Sequence, residues 1–206
     1  MTGVFAHWPN RITALRFLAS LALFALFAVY GHREESQVAE IRSVLVLAFW
    51  LFIAIAASDV LDGWLARRGN LITAFGRIAD PFVDKVMILG CMVYLAVMPW
   101  SQRFFPAWVV VVILAREFLV TGIRGYVESQ GLQFPADWFG KIKMIVQCIA
   151  IGIALGIHAF AWPDPLRRFL DVCAYVFVYG TLVTTVGSGA SYVLKTRSLL
   201  MRGGAA

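Results

Sequence analysis

The sequence predicts an all-α, polytopic membrane protein, a bundle of six transmembrane helices. Three observations carry that expectation. Of 206 residues, 61% are hydrophobic and 15% charged, with a mean hydropathy of +0.79, whereas an ordinary soluble domain is about 45–50% apolar. So few charges could not cover a soluble surface that also had to hide 7 Trp, 16 Phe and long Leu/Val/Ala runs. Finally, stretches long enough to cross a hydrocarbon core of about 30 Å, about 20 residues each, recur near 10–30, 42–65, 77–99, 105–130, 138–160 and 168–194.

The first stretch has basic residues before an apolar core and alanines near its end, as a secretion signal does. Five further spans follow it, so it reads as a retained helix. Asn10, after Pro9, is suited to cap it, and Thr13 and Arg16 add polar positions at its start. The second stretch ends in acids and the third begins with them. In the third, Pro81 either kinks the helix or marks its first turn with Asp80 as cap. The fourth carries Arg116-Glu117 and Arg124 among apolar neighbours, and the fifth opens on Asp137, a candidate cap, followed by Lys141 and Lys143. The connections at 31–41, 66–76, 100–106 and 161–167 are short, with no internal repeat or low-complexity tract. Residues 1–206 therefore read as one integral membrane domain with short tails.

The formal net charge is +6. In a lipid-embedded chain this reports topology and anionic headgroups, so no nucleic-acid partner is expected. One side collects Arg11, Arg16, Arg67, Arg68, Arg77, Lys85, Arg116, Arg124, Lys141, Lys143, Lys195, Arg197 and Arg202, 13 of the 18 basic residues. Arg33, Arg42, Arg103, Arg167 and Arg168 fall on the other. The positive-inside rule then puts both termini and the acidic helix ends on the cytoplasmic side of the inner membrane.

Asp59, Asp62, Asp80 and Asp84 are four of the chain's 12 acids, all at the ends of apolar helices. Asp59 and Asp62 are three apart and Asp80 and Asp84 four apart, so each pair occupies one helix face. A short connection makes the two helices antiparallel neighbours whose acidic ends meet. An ionised Asp at a helix centre costs about 2.5–3.5 kcal/mol, so four cost on the order of 10 kcal/mol, comparable with a domain's whole stability. A hard divalent cation offsets that charge. All-carboxylate ligation favours Mg²⁺, Mn²⁺ or Ca²⁺ over zinc. Gly63 and Ala66 leave room for a ligand near the backbone, Arg67 offers a planar cation to a phosphate, and Gly76 lies one turn before Asp80. Close helix packing would also account for Gly63 taken alone.

The array Asp59-x-x-Asp62-Gly63-x-x-Ala66-Arg67, eight residues, then Gly76-x-x-x-Asp80-x-x-x-Asp84 is similar to the signature of the CDP-alcohol phosphotransferase family, with every fixed position filled. Asn10-x-x-Thr13-x-x-Arg16, Ala115-Arg116-Glu117 with Arg124, and Trp138-Phe139-Gly140-Lys141-Ile142-Lys143 resemble the branch that uses glycerol 3-phosphate. The likeness covers roughly residues 8–195, most weakly in the last helix. It implies transfer of a phosphatidyl group from CDP-diacylglycerol to an alcohol with release of CMP, in a six-helix fold that dimerises. By motif position it implies Mg²⁺ or Mn²⁺ on Asp59, Asp62, Asp80 and Asp84, with Asp84 also the general base. CDP would lie against Asp59, Asp62, Gly63, Ala66, Arg67, Gly76, Asn10 and Thr13.

The acceptor is read from cations. Glycerol 3-phosphate brings a phosphate that Arg or Lys must meet, whereas free serine or choline needs no such pocket. Arg116, Arg124, Lys141 and Lys143, with Arg16, form the expected phosphate group; positive-inside decoration is the alternative for any one of them. Inositol phosphate, and behind it inositol or serine, are the rival acceptors. An intramembrane prenyltransferase also pairs acidic helix ends with Mg²⁺, but matches the interleaved Gly63, Ala66, Arg67 and Gly76 poorly. A cation transporter would place its carboxylates nearer mid-bilayer.

Other residues carry ordinary expectations. Cys91, Cys148 and Cys173 read as small hydrophobes. His7, His32 and His158 fall at helix ends and are expected at the interface, as are Trp8, Trp64, Trp100, Trp108, Trp138 and Trp162 in an aromatic belt. Glu117 is expected to pair with a neighbouring arginine, and Glu34, Glu35 and Glu40 with Arg33 and Arg42 to form a solvated outer loop.

Overall fold

Helix α1 (Trp8–Tyr30) of the computed structural model turns its apolar side chains outward and its polar ones inward, the reverse of a soluble bundle. Leu15 and Leu18 are 66% and 61% exposed, while Asn10, Thr13, Arg16 and Ser20 are buried. Their spacing of three, three and four residues keeps the polar set on one face. Helix α6 repeats the pattern with buried Thr181, Thr185, Ser188, Tyr192 and Thr196, and exposed Val176 and Val183. Hydrocarbon solvates the outer face, so the inward face is where polar groups find partners.

The structure describes residues 8–69, 74–131 and 138–203; the side chains of Pro9, 59–69, 74, 75, 77, 138, 139, 141, 195 and 197–203 lie outside the description. The described elements are helical: α1, a 3-10 turn at Glu35–Gln37, α2 (Arg42–Gly69), α3 (Ala74–Val97), α4 (Ala107–Ser129), α5 (Trp138–Ala159) and α6 (Asp164–Gly203). Among the described residues Asn10–Tyr30, Ile142–Ala159 and Asp164–Leu194 are long and apolar enough to cross a membrane, and Arg42–Ser58 is a shorter apolar segment. With the outward apolar faces, these make the chain a membrane protein. Helix α6 starts four residues before the expected span and runs past it to Gly203, 40 residues in all. Asp164 and Pro165 explain its early start, since an acid suits the N-terminal dipole and proline lacks an N–H that would be unpaired there.

The helices close into a ring in the order α1, α2, α5, α6, α4, α3, each packed on the next and α3 back on α1. Helices α2 and α3 both pack on α1, and the acidic end of α2, where the two are expected to meet, lies outside the described residues. The ring order follows from their faces. The apolar row Leu45, Ala48, Phe52 and Ile55 of α2 is buried, and Phe52 and neighbouring Phe49 approach Gly152 and Gly156 of α5, whereas the acidic start of α3 meets the polar face of α1.

At one end of the ring Arg103 pairs with Asp171 at 3.3 Å and with Glu35 at 3.9 Å, and Arg167 reaches Glu35 at 4.0 Å. The α1–α2, α3–α4 and α5–α6 connections therefore share that end. The starts of α1, α3 and α5 and the ends of α2, α4 and α6 share the other. Two expectations fail at the first end. Trp100 is fully buried and His158 nearly so, with rings 4.9 Å apart, so neither belongs to an interfacial belt. The loop folds back over the helix ends and Phe104, also buried, packs on His158. Cys91 is buried as expected, and all three cysteines are free.

Pro81 lies inside α3 and not at its start. Its missing N–H leaves the helical ladder one bond short beside the acids. Further along α3, a Cβ on Gly90 would collide with the ring of Phe24, which stacks on Tyr94 at 5.6 Å. Gly90→Ala is expected to destabilise the α1–α3 contact by about 1–3 kcal/mol, the usual cost of overpacking. A thermal unfolding midpoint in detergent equal to wild type would overturn that expectation.

Candidate active site

At the second end, α1 and α3 run parallel and their polar rows meet rung by rung. Thr13 Oγ1 donates to Asp80 Oδ1 at 2.5 Å, and Arg16 Nη2 donates to Asp84 Oδ1 at 2.6 Å. A step of three residues on α1 matches a step of four on α3, so both contacts form on adjoining turns. Arg16 is 3% exposed, and Ser20 Oγ donates to its carbonyl at 2.8 Å. A guanidinium buried this far needs an anion beside it, and Asp84 supplies one. Asn10 and Gly76 are buried at the same end.

A second ionic group sits across the bundle. Arg116 Nη1 donates to Glu117 Oε1 at 3.0 Å, and Lys143 Nζ donates to the same oxygen. All three residues are buried. Arg116 lies over the ring of Tyr192 at 5.6 Å, and Arg124 Nη2 donates to the Tyr192 hydroxyl at 2.7 Å. Lys85 Nζ donates to Thr121 Oγ1 at 2.7 Å. Glu117 thus pairs with its neighbouring arginine, as expected, and with Lys143 as well.

Between the two groups lies a cavity of about 310 Å³ walled by Asp84, Lys85, Arg124, Lys143, Gln147 and Tyr192, among others. Its walls combine two carboxylates, Asp84 and Glu117, with three cations able to hold an anion; Glu117 is engaged by Arg116 and Lys143, which leaves Asp84 as the carboxylate to take a proton.

Residues 6–187 match the family model described as CDP-alcohol phosphatidyltransferase. The chain belongs to this family. The CDP-diacylglycerol–glycerol-3-phosphate 3-phosphatidyltransferase of Bacillus subtilis (strain 168) is 34% identical over 194 residues, 91% of this chain and 93% of the relative. A probable phosphatidylglycerophosphate synthase of Mycobacterium tuberculosis (strain CDC 1551 / Oshkosh) is 34% identical over 194 residues, 92% of this chain and 81% of the relative. The Rickettsia typhi CDP-diacylglycerol–glycerol-3-phosphate 3-phosphatidyltransferase is 28% identical over 185 residues, covering 89% and 93%.

In this CDP-alcohol phosphatidyltransferase, the structure gathers Asn10, Thr13, Arg16, Gly76, Asp80, Asp84, Arg116, Arg124 and Lys143 at one end of the bundle. Asp59, Asp62, Gly63, Ala66 and Arg67 belong to the last turns of α2, but their side chains, like that of Lys141, lie outside the described residues. Arg16, expected on the acceptor phosphate, is placed against Asp84, and Thr13 against Asp80. Sequence reasoning missed Thr121, Gln147 and Tyr192. Gln147 carried a usable signal, an amide in the apolar run from Met144 to Leu155.

Proposed function

We propose that this chain transfers the phosphatidyl group of CDP-diacylglycerol to sn-glycerol 3-phosphate, giving phosphatidylglycerophosphate and CMP in phospholipid biosynthesis. The observation that carries the reading is the cavity in which Asp84 faces Lys85, Arg124 and Lys143. An acceptor with both a phosphate and a reacting hydroxyl suits such walls, where three cations outnumber two carboxylates, better than free serine or inositol does.

Arg16 orients the Asp84 carboxylate, which accepts the proton of the acceptor hydroxyl as that oxygen attacks the phosphorus of the liponucleotide. Lys143, Arg116, Arg124 and Lys141 hold the acceptor phosphate. Asn10, Thr13, Gly63, Ala66, Arg67 and Gly76 line the place of the CDP group. The donor set on the two acidic helices is carboxylate oxygen, which suits Mg²⁺ or Mn²⁺ on Asp59, Asp62, Asp80 and Asp84. When bound there, such an ion would supply Lewis-acid stabilisation to phosphate oxygens. Positioning and charge supply most of what phosphoryl chemistry needs.

In this reading all six helices span the inner membrane, with both termini and the site on the basic, cytoplasmic side, supported by the bias of Lys and Arg. The family resemblance supports a homodimer. Purified protein with CDP-diacylglycerol and Mg²⁺ is expected to release CMP with sn-glycerol 3-phosphate, not with inositol phosphate, inositol or serine, and to lose activity in EDTA. No CMP with glycerol 3-phosphate would overturn the assignment.

A further inference from the structure

Gln147 sits on α5 one turn beyond Lys143, on the same face. It is 3% exposed and forms part of the cavity wall with Asp84 and Tyr192. Its Nε2 is buried and has no hydrogen-bond partner among the described residues. A buried amide left this way costs free energy that Leu or Met at the same position would avoid, so packing alone does not account for it. A ligand in the cavity that presents an oxygen would complete it.

We infer that Gln147 is the residue that selects the acceptor, donating from Nε2 to the secondary hydroxyl of its glycerol unit. This rests on the function proposed above. The acceptor phosphate has cations to meet it, and the reacting hydroxyl gives its proton to Asp84. The secondary hydroxyl is the oxygen that remains, and a neutral amide donor suits a neutral oxygen. With the cations and Asp84 as the other two points, Gln147 makes a three-point contact, which distinguishes sn-glycerol 3-phosphate from its mirror image. A site built to bond a hydroxyl also rejects an analogue without it, because its own donor is then left unpaired.

The test compares kcat/KM for sn-glycerol 3-phosphate and for 3-hydroxypropyl phosphate, which lacks that hydroxyl, in wild type and Gln147→Met. Wild type is expected to prefer the natural acceptor by about tenfold or more, the worth of one buried hydrogen bond. In Gln147→Met the preference collapses to near one, and the unfolding midpoint stays at or above wild type because the swap keeps volume and removes the orphaned donor. Should Gln147→Met fail to fold, Gln147→Asn, one methylene shorter, is expected to lower the same ratio. Turnover by wild type without preference, or a preference kept by the variants, overturns this inference alone. A wild-type protein that releases no CMP with either acceptor overturns the proposed function and this inference together.

Discussion

Asp84→Asn is expected to lower CMP release with glycerol 3-phosphate by about 10²–10⁴-fold, the usual worth of a positioned general base, while CDP-diacylglycerol still binds. The substitution keeps the side chain's shape. Its amide oxygen can still accept from Arg16, which now reaches Asp84 Oδ1 at 2.6 Å, but the group no longer takes a proton near neutral pH. Two measurements separate the roles of this residue. Equilibrium titration with CDP-diacylglycerol reports the nucleotide site, and single-turnover CMP release reports the proton step. Substantial turnover in the variant would refute the base assignment, and loss of liponucleotide binding would make Asp84 mainly a ligand-holding group. Because Arg16 loses the charge of one partner, an unfolding scan belongs beside both, and Arg16→Gln/Asp84→Asn is expected to regain stability without regaining turnover.

How far the molecule was legible from its sequence follows from which interactions are local. The helices could be read because each is a long apolar run, and the site's end could be read because Lys, Arg and Asp collect at alternate connections. Pairing within a helix was legible too, as in the four-residue step from Asp80 to Asp84. Contacts between helices were not. That Thr13 answers Asp80 and Arg16 answers Asp84 depends on α1 packing parallel to α3, and no spacing in either helix encodes the ring order that puts α1 there. The same gap produced the errors at the far end, where proximity to a helix end was taken as exposure. Trp100 and His158 are near helix ends, yet both are buried because the α3–α4 loop folds over them. Tyr192 was passed over for a related reason. Its hydroxyl matters only because Arg124, 68 residues earlier in the chain, lies 2.7 Å away.

The largest expected effect on stability comes from Glu117. Among the described residues it is the anion shared by Arg116 and Lys143, and all three side chains are less than a tenth exposed. Glu117→Ala leaves two buried cations facing each other and should cost about 3–5 kcal/mol, the usual penalty for breaking a buried ion pair from one side. Against a typical domain stability of about 5–15 kcal/mol, much of the population would unfold or aggregate at growth temperature. A double variant shows why the triad is there. Glu117→Gln/Lys143→Met removes one charge of each sign, so the group keeps its net charge and most of the stability should return. The acceptor phosphate would nevertheless lose a cation from the cavity wall, and KM for glycerol 3-phosphate should rise at least tenfold, one charge-assisted hydrogen bond being worth about 1.5–3 kcal/mol. Unfolding in detergent and acceptor titration check the two halves independently. A double variant that recovers both stability and KM would mean that the triad only holds α4 against α5; recovery of stability alone is the result expected if Glu117 keeps Lys143 in place for an incoming phosphate.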